Sequence, residues 1–183
     1  MAGKFESPVR SRVRRRPSRK IGAAISLIVA LIAGAVIALA APSWAAGVPA
    51  GTPVAGTPCT ASASACVDLT SLQAWLIKDG KVVYGPVGIS TGVDSDPNMR
   101  TPVGDFRVQW KHKDHISSIS KTPEYPNGVP MPYSVFFTNT GVAFHEGDLG
   151  NESLGCVHLE HDAAVTFFNF LQVGQQVQVR NPR

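Results

Sequence analysis

YSVFFTNTGVAFHEGDLGNESLGCVHL, residues 133–159, holds the strongest structural signal in the chain. Its first six residues, 133–138, are aromatic and β-branched and read as a strand. Asn139, Thr140 and Gly141 turn the chain. VAFH, 142–145, is a second strand that ends on His145 and runs into a loop closed by Ser153, Leu154, Gly155 and Cys156. A thiol needs a base to become a nucleophile and backbone amides to hold a developing oxyanion. Histidine, glycine-bearing loop and cysteine all fall within residues 145–159.

The strand pattern continues outward in both directions. SLQAWLI, 71–77, alternates with Leu72, Ala74 and Leu76 on one side. Asp79-Gly80 then leads to KVVY, 81–84, a strong hairpin signal. Gly85-Pro86 reads as a turn before VGIST, 87–91, and residues 92–102 are polar and turn-rich. GDFRVQWK, 104–111, reads as one strand with Phe106, Val108 and Trp110 on a common face. Residues 115–120 fit a short strand, and the four prolines in 122–132 fit a surface loop. DAAVTFFNFL, 162–171, is the one convincing helix, with Asp162 at its start and Val165, Phe168 and Leu171 on one face. QVQVR, 176–180, closes as a strand with Val177 and Val179 inward. The expected fold is mainly β, a compact sandwich-like or barrel-like domain with one or two short helices.

The formal charge of +4 conceals an asymmetry, because eight of the seventeen Lys and Arg residues lie in residues 1–20. From residue 46 onward nine basic residues face twelve acidic ones, a balance of about −3. No basic patch is left to neutralise phosphates, which argues against a nucleic-acid partner. The basic run is followed by the uncharged stretch 21–41 and then by PSWAA. That order is a secretory signal cleaved after Ala45, or a retained anchor, since the apolar run can span a bilayer. Residues 1–45 are therefore expected to export the chain, with membrane contact only if the segment is retained. Residues 46–58 read as a proline- and glycine-rich linker, and residues 59–183 as the folded domain. In an exported chain the close pair Cys59 and Cys66 is expected to form a disulfide. Cys156 is then left over as a free thiol.

The ordered motifs resemble the L,D-transpeptidases of the YkuD family. Its signature is a histidine, a variable stretch and Ser/Thr-x-Gly-Cys, matched here by His145 and by Ser153-Leu154-Gly155-Cys156-Val157-His158. Thr101-Pro102-Val103-Gly104-Asp105-Phe106 resembles the family's Thr-Pro-x-Gly-x-Phe segment, and Met131-Pro132-Tyr133 resembles the stretch that lines its cleft. The resemblance runs from about residue 68 to 180. It implies a peptidoglycan L,D-transpeptidase with Cys156 as nucleophile and His145 as base. Cys156 would attack the stem-peptide carbonyl that carries a terminal D-Ala, release D-Ala, and pass the acyl group to an amine to give a 3→3 cross-link. It also implies acylation by carbapenem β-lactams and no cofactor. Gly155, Leu154 and Ser153 are the expected oxyanion loop, with the amides of Gly155 and Cys156 as donors and that of Leu154 as a further candidate. Tyr133, His158, His115 and Met131 are the expected substrate-binding residues.

The chain departs from the pattern in four places. Seven residues separate His145 from Ser153, a short interval for the family; Leu154 stands where a second histidine is often found; Glu146 follows His145; and His158 takes a position often held by Arg or Asn. Water as acceptor would make the chain an L,D-carboxypeptidase, and loss of turnover would leave a peptidoglycan-binding module. A zinc site of Cys156, His158, His161 and His145 has the right side chains in an uncommon spacing.

Overall fold

A computed structural model describes residues 48–182. The expected signal or anchor over 1–45 lies outside the described residues. Nine strands and one helix are present: β1 Ala65–Asp68, β2 Gln73–Lys78, β3 Lys81–Gly88, β4 Gly104–Arg107, β5 Trp110–Ile116, β6 Pro130–Phe136, β7 Ala143–Glu146, β8 Val157–Leu159, α1 His161–Phe170 and β9 Gln176–Arg180. They form a five-stranded sheet in the order β3-β2-β1-β9-β4 and a four-stranded sheet in the order β5-β6-β7-β8. The pairs β1–β9 and β7–β8 are parallel and the others antiparallel. The mainly β expectation holds, and the helix is short.

Alternation along the strands explains the layers. Ala65 and Val67 of β1, Ala74 and Leu76 of β2 and Val177 and Val179 of β9 join Val135, Phe144, Val157 and Leu159 of the other sheet in one apolar cluster. Helix α1 completes it with Ala163, Ala164 and Phe167. The two alanines leave room for Phe167 to reach inward, where its ring meets Phe144 at 5.1 Å and Tyr84 at 6.3 Å. The expected helical face of Val165, Phe168 and Leu171 is thus rotated: only Leu171 is fully buried, beyond the last turn. Asp162 lies in the first turn and Glu160 takes the N-cap position without a side-chain cap.

The opposite face of the first sheet is covered too. Cys66, Trp75 and Ile77 pack there against Val54, Cys59 and Ala63. Cys59 and Cys66 are bonded. Val54 lies in the stretch expected to be a linker, yet it is 3% exposed and its amide bonds to the Cys59 carbonyl at 3.0 Å. The buried Gln178 amide accepts from the Thr60 amide and donates to Thr60 Oγ1, tying this segment to β9. The domain therefore includes residues from the early fifties, ahead of the expected start at 59.

One other local reading holds and four change. Asp79 and Gly80, at φ 52 and 72, make the tight turn expected between Lys78 and Lys81. Gly85-Pro86 is not a turn but lies inside β3. Leu72 sits before β2 at φ 51 and is 45% exposed, so it does not share the face of Ala74 and Leu76. The expected strand over 104–111 is two strands in different sheets. Val108 bonds to Gln175 and Gly174 beside β9, whereas the next amide, Gln109, bonds to Phe136 of β6. Trp110 is consequently 44% exposed and outside the main core. Pro130 and Pro132, expected in a loop, belong to β6. Ser117 N donates to Val129 O, so alternation puts both prolines at non-hydrogen-bonded positions, where a missing N–H costs no bond to β5.

Phe167 is the largest contribution of α1 to the core, so Phe167→Ala should lower stability by about 3–5 kcal/mol. Denaturant unfolding of the two proteins checks this; a loss below about 1 kcal/mol would mean that the helix does not hold the sheets together.

Candidate active site

β7 sets the base. Phe144 points into the core, so its neighbours Ala143 and His145 face the opposite side of the sheet. His145 is 6% exposed. Its Nδ1 lies 2.7 Å from the carbonyl oxygen of Glu146. A carbonyl only accepts, so Nδ1 carries the proton and Nε2 keeps its lone pair. Burial lowers the His145 pKa to about 4; the bond to the Glu146 carbonyl opposes that shift, and His158 and His115 add to it. The imidazole is therefore a neutral base at neutral pH.

β8 positions Cys156. It runs parallel to β7 with Phe144 opposite Val157 and His145 opposite His158. The residue before Val157 is Cys156, which packs on the same face against Ala143, Met131 and Phe136. Its Sγ is 3.9 Å from the Gly141 carbonyl. Burial raises the thiol pKa, and a backbone hydrogen bond to Ala143 partly offsets this. Both shifts favour the uncharged forms. The resting pair is a neutral thiol and a neutral imidazole, not the thiolate–imidazolium pair that a cysteine beside a histidine suggests.

The loop between β7 and β8 is held at several points. Ser153 Oγ donates to the Cys156 carbonyl at 2.6 Å and accepts the Gly155 amide at 3.0 Å. The Gly155 amide is thus occupied, which corrects its expected role as an oxyanion donor. The amides of Leu154 and Cys156 have no acceptor among the described residues and are the donors left to a substrate. Leu154 turns its side chain outward, 49% exposed. Gly155 has φ 113, a region that a side chain disfavours. Thr101 Oγ1 accepts the Gly92 amide at 3.0 Å and donates to the Gly155 carbonyl at 2.9 Å. A Cβ on Gly92 would lie 1.9 Å from the Met99 carbonyl and 2.6 Å from Gly155 Cα. Ser90 Oγ donates to the Asn151 carbonyl at 2.6 Å, and its backbone bonds reciprocally to His158.

The remaining expected residues divide. His158 stands beside the base, with ring centroids 4.8 Å apart, and its Nδ1 bonds the Asp148 carbonyl at 3.0 Å. Met131 packs with Cys156. His115, whose pKa is lowered by burial and then by His112, is close enough to depress His145. Tyr133 is not at the site. Its φ of 56 interrupts the β5–β6 pairing opposite Lys113, and its ring packs on Phe168 and His161 on the helix side. Nor does His161 reach the site, because its Nδ1 bonds Glu146 Oε2 at 2.9 Å. The four donors considered for zinc therefore do not converge. Glu146 serves the base through its backbone, while its carboxylate turns to His161.

Ser90, Gly92 and the loop-fixing role of Thr101 escaped the sequence reading. Thr101 was visible as part of a motif; Ser90 and Gly92 gave no signal, because their role depends on a contact with residues 151–158. A cavity of about 350 Å³ lined by Thr91, Arg100, Asn151 and neighbours lies beside this loop and includes neither Cys156 nor His145.

A family profile described as the L,D-transpeptidase catalytic domain matches residues 62–179. A curated relative, Probable L,D-transpeptidase 3 of Mycobacterium tuberculosis (strain ATCC 25618 / H37Rv), is 28% identical over 112 residues, covering 55% of this chain and 41% of the relative. The crystal structure of an L,D-transpeptidase from Stackebrandtia nassauensis is 29% identical with a TM-score of 0.54, covering 65% of this chain and 55% of the other. The avibactam carbamoyl enzyme of Ldtfm is 26% identical with a TM-score of 0.54, covering 67% of this chain and 50% of the other. The chain thus spans about two-fifths to a little over half the length of these relatives.

Two outcomes are expected. The rate of Cys156 alkylation by iodoacetamide should climb with pH through a pKa above that of a free thiol, with no thiolate plateau between about pH 5 and 7; such a plateau would reveal a preformed ion pair. Thr101→Val removes both bonds that clamp Gly92 to Gly155, and should slow acylation at least about tenfold while costing about 1–3 kcal/mol of stability. Thr101→Ser, which keeps the hydroxyl, should restore the rate.

Proposed function

The chain belongs to the L,D-transpeptidase family, and from that premise we propose that it transfers acyl groups between peptidoglycan stem peptides through a thioester on Cys156. The observation that carries the reading is the His145 imidazole. Its Nδ1 proton is committed to the Glu146 carbonyl, and its Nε2 is left free on the face where Cys156 stands.

The reaction follows from the neutral pair. A donor stem places its scissile carbonyl over Cys156 with the oxygen toward the amides of Cys156 and Leu154. As the sulfur–carbon bond forms, His145 Nε2 takes the thiol proton. The imidazolium is costly in a buried setting, so the proton moves on to the amine of the departing D-Ala. The carbon–nitrogen bond breaks and the thioester remains. An acceptor amine from a second stem attacks the thioester, loses a proton to His145 and releases the thiol, giving the 3→3 link. Backbone amides aimed at the oxyanion each supply about 2.7–4 kcal/mol of barrier reduction in acyl-transfer sites. A carbapenem opens its ring on the same sulfur. The chain works outside the cytoplasm, where its basic, apolar N-terminal run sends it and where the Cys59–Cys66 disulfide persists.

Incubation with a disaccharide-tetrapeptide carrying terminal D-Ala tests this. Free D-Ala and a dimer lighter than two substrates by one D-Ala are expected by mass spectrometry. Hydrolysed tripeptide alone would identify a carboxypeptidase, and unchanged substrate a binding module. The acid limb of the reaction should lie near pH 4, following His145, below the ordinary imidazole range at about 6.5. A limb at the ordinary value would contradict the buried-base account.

A further inference from the structure

Trp110 stands apart from the machinery described so far. It is the first residue of β5 and is 44% exposed. Its indole is stacked on Phe136, with centroids 3.8 Å apart and planes 7° from parallel. Phe136 is 3% exposed and packs with Met131, Ala143 and Cys156. The indole is thus fixed on the outer side of a ring that borders the nucleophile.

The position of His115 shows which indole face is open. Its centroid is 5.4 Å from Trp110 and 5.0 Å from Phe136, nearly perpendicular to both. A ring lying above the indole would be much farther from Phe136 than from Trp110. His115 therefore flanks the stack and does not lie over the outer face of the indole, a side chain that is 44% exposed. His112 meets His115 edge to face at 5.7 Å. Neither imidazole has a hydrogen-bond partner among the described residues. The alternate residues Lys111 and Lys113 turn away, to Phe168 and Tyr133 on the helix side.

A flat, stacked indole face flanked by imidazoles without hydrogen-bond partners among the described residues has a specific complement. A pyranose ring offers axial C–H bonds to the indole and equatorial hydroxyls or acetamido groups to the rim. An extended peptide has no comparable flat apolar face. From this juxtaposition we infer that Trp110, with His112 and His115, forms a glycan subsite that holds a sugar ring of the substrate's glycan strand. The inference rests on the peptidoglycan reading above and extends it. It assigns the β5 side of the cleft to the sugar, while Cys156 and His145 act on the stem.

The test compares a disaccharide-tetrapeptide with the same tetrapeptide lacking the sugar. Trp110→Ala should raise KM for the disaccharide form about tenfold, with kcat unchanged. KM for the free tetrapeptide and the rate of carbapenem acylation should not move. Trp110→Phe keeps a flat ring and should recover most of the loss. An equal rise for both substrates would make Trp110 a peptide contact, and no change for either would remove it from binding; both outcomes overturn the inference. Should the wild-type protein turn over neither substrate, the transpeptidase reading fails by itself. The subsite is still tested by titrating the N-acetylated disaccharide into labelled protein. The Trp110 indole resonance, identified by its loss in Trp110→Phe, should shift; a resonance that stays in place while the protein is folded overturns the subsite.

Discussion

A parallel register between two short strands governs this structure. Phe144 opposite Val157 and His145 opposite His158 leave the residue just before β8 alongside Ala143, on the face that carries the base. That residue is Cys156. A slip of one position would send the side chains of β8 to the other face and separate thiol from imidazole. Parallel neighbours normally need a crossover of a dozen or more residues. Here residues 147–156 make the connection without a helix. Its own bonds through Ser153 and Asp148 are joined by outside residues: Ser90 at Asn151, Thr91 at Ser153 and Thr101 at Gly155. Gly92 lacks a side chain because its backbone touches those of Met99 and Gly155, and Gly155 lacks one because of its positive φ.

Burial then decides the chemistry. The same apolar surroundings that fix Cys156 and His145 push the thiol pKa up and the imidazole pKa down. Neither group is charged at rest. A protonated thiol is a poor nucleophile and a poor target for oxidants, so Cys156 is protected at rest. The Glu146 carbonyl supplies the orientation that a carboxylate supplies in other triads. A carbonyl cannot take up a proton, so it holds the neutral imidazole in one tautomer.

Much of this was legible in the sequence because local chemistry carried it. Asp79-Gly80 accepts positive φ at both positions, so the hairpin could be read directly. His145 at a strand end and Cys156 after a glycine marked two residues that the register of β7 and β8 brings to one face. What could not be read depends on contacts between distant segments. The break after Val108 arises because two sheets compete for one continuous β pattern. Val54 sits in a stretch that composition marks as a linker, and only the open face of the first sheet gives it a place. Tyr133 reads as a cleft residue from its neighbours in sequence, but a positive φ turns it to the helix. The Gly155 amide was expected to serve the oxyanion, and the Ser153 hydroxyl two residues away takes it.

The central claim is that Cys156 forms the acyl-enzyme with His145 as its base. Intact-protein mass spectrometry after incubation with a carbapenem tests it most directly. A single adduct on the wild-type chain, absent from Cys156→Ala and formed far more slowly in His145→Gln, is the predicted result. An adduct that survives Cys156→Ala, or none on the folded wild-type chain, would contradict it.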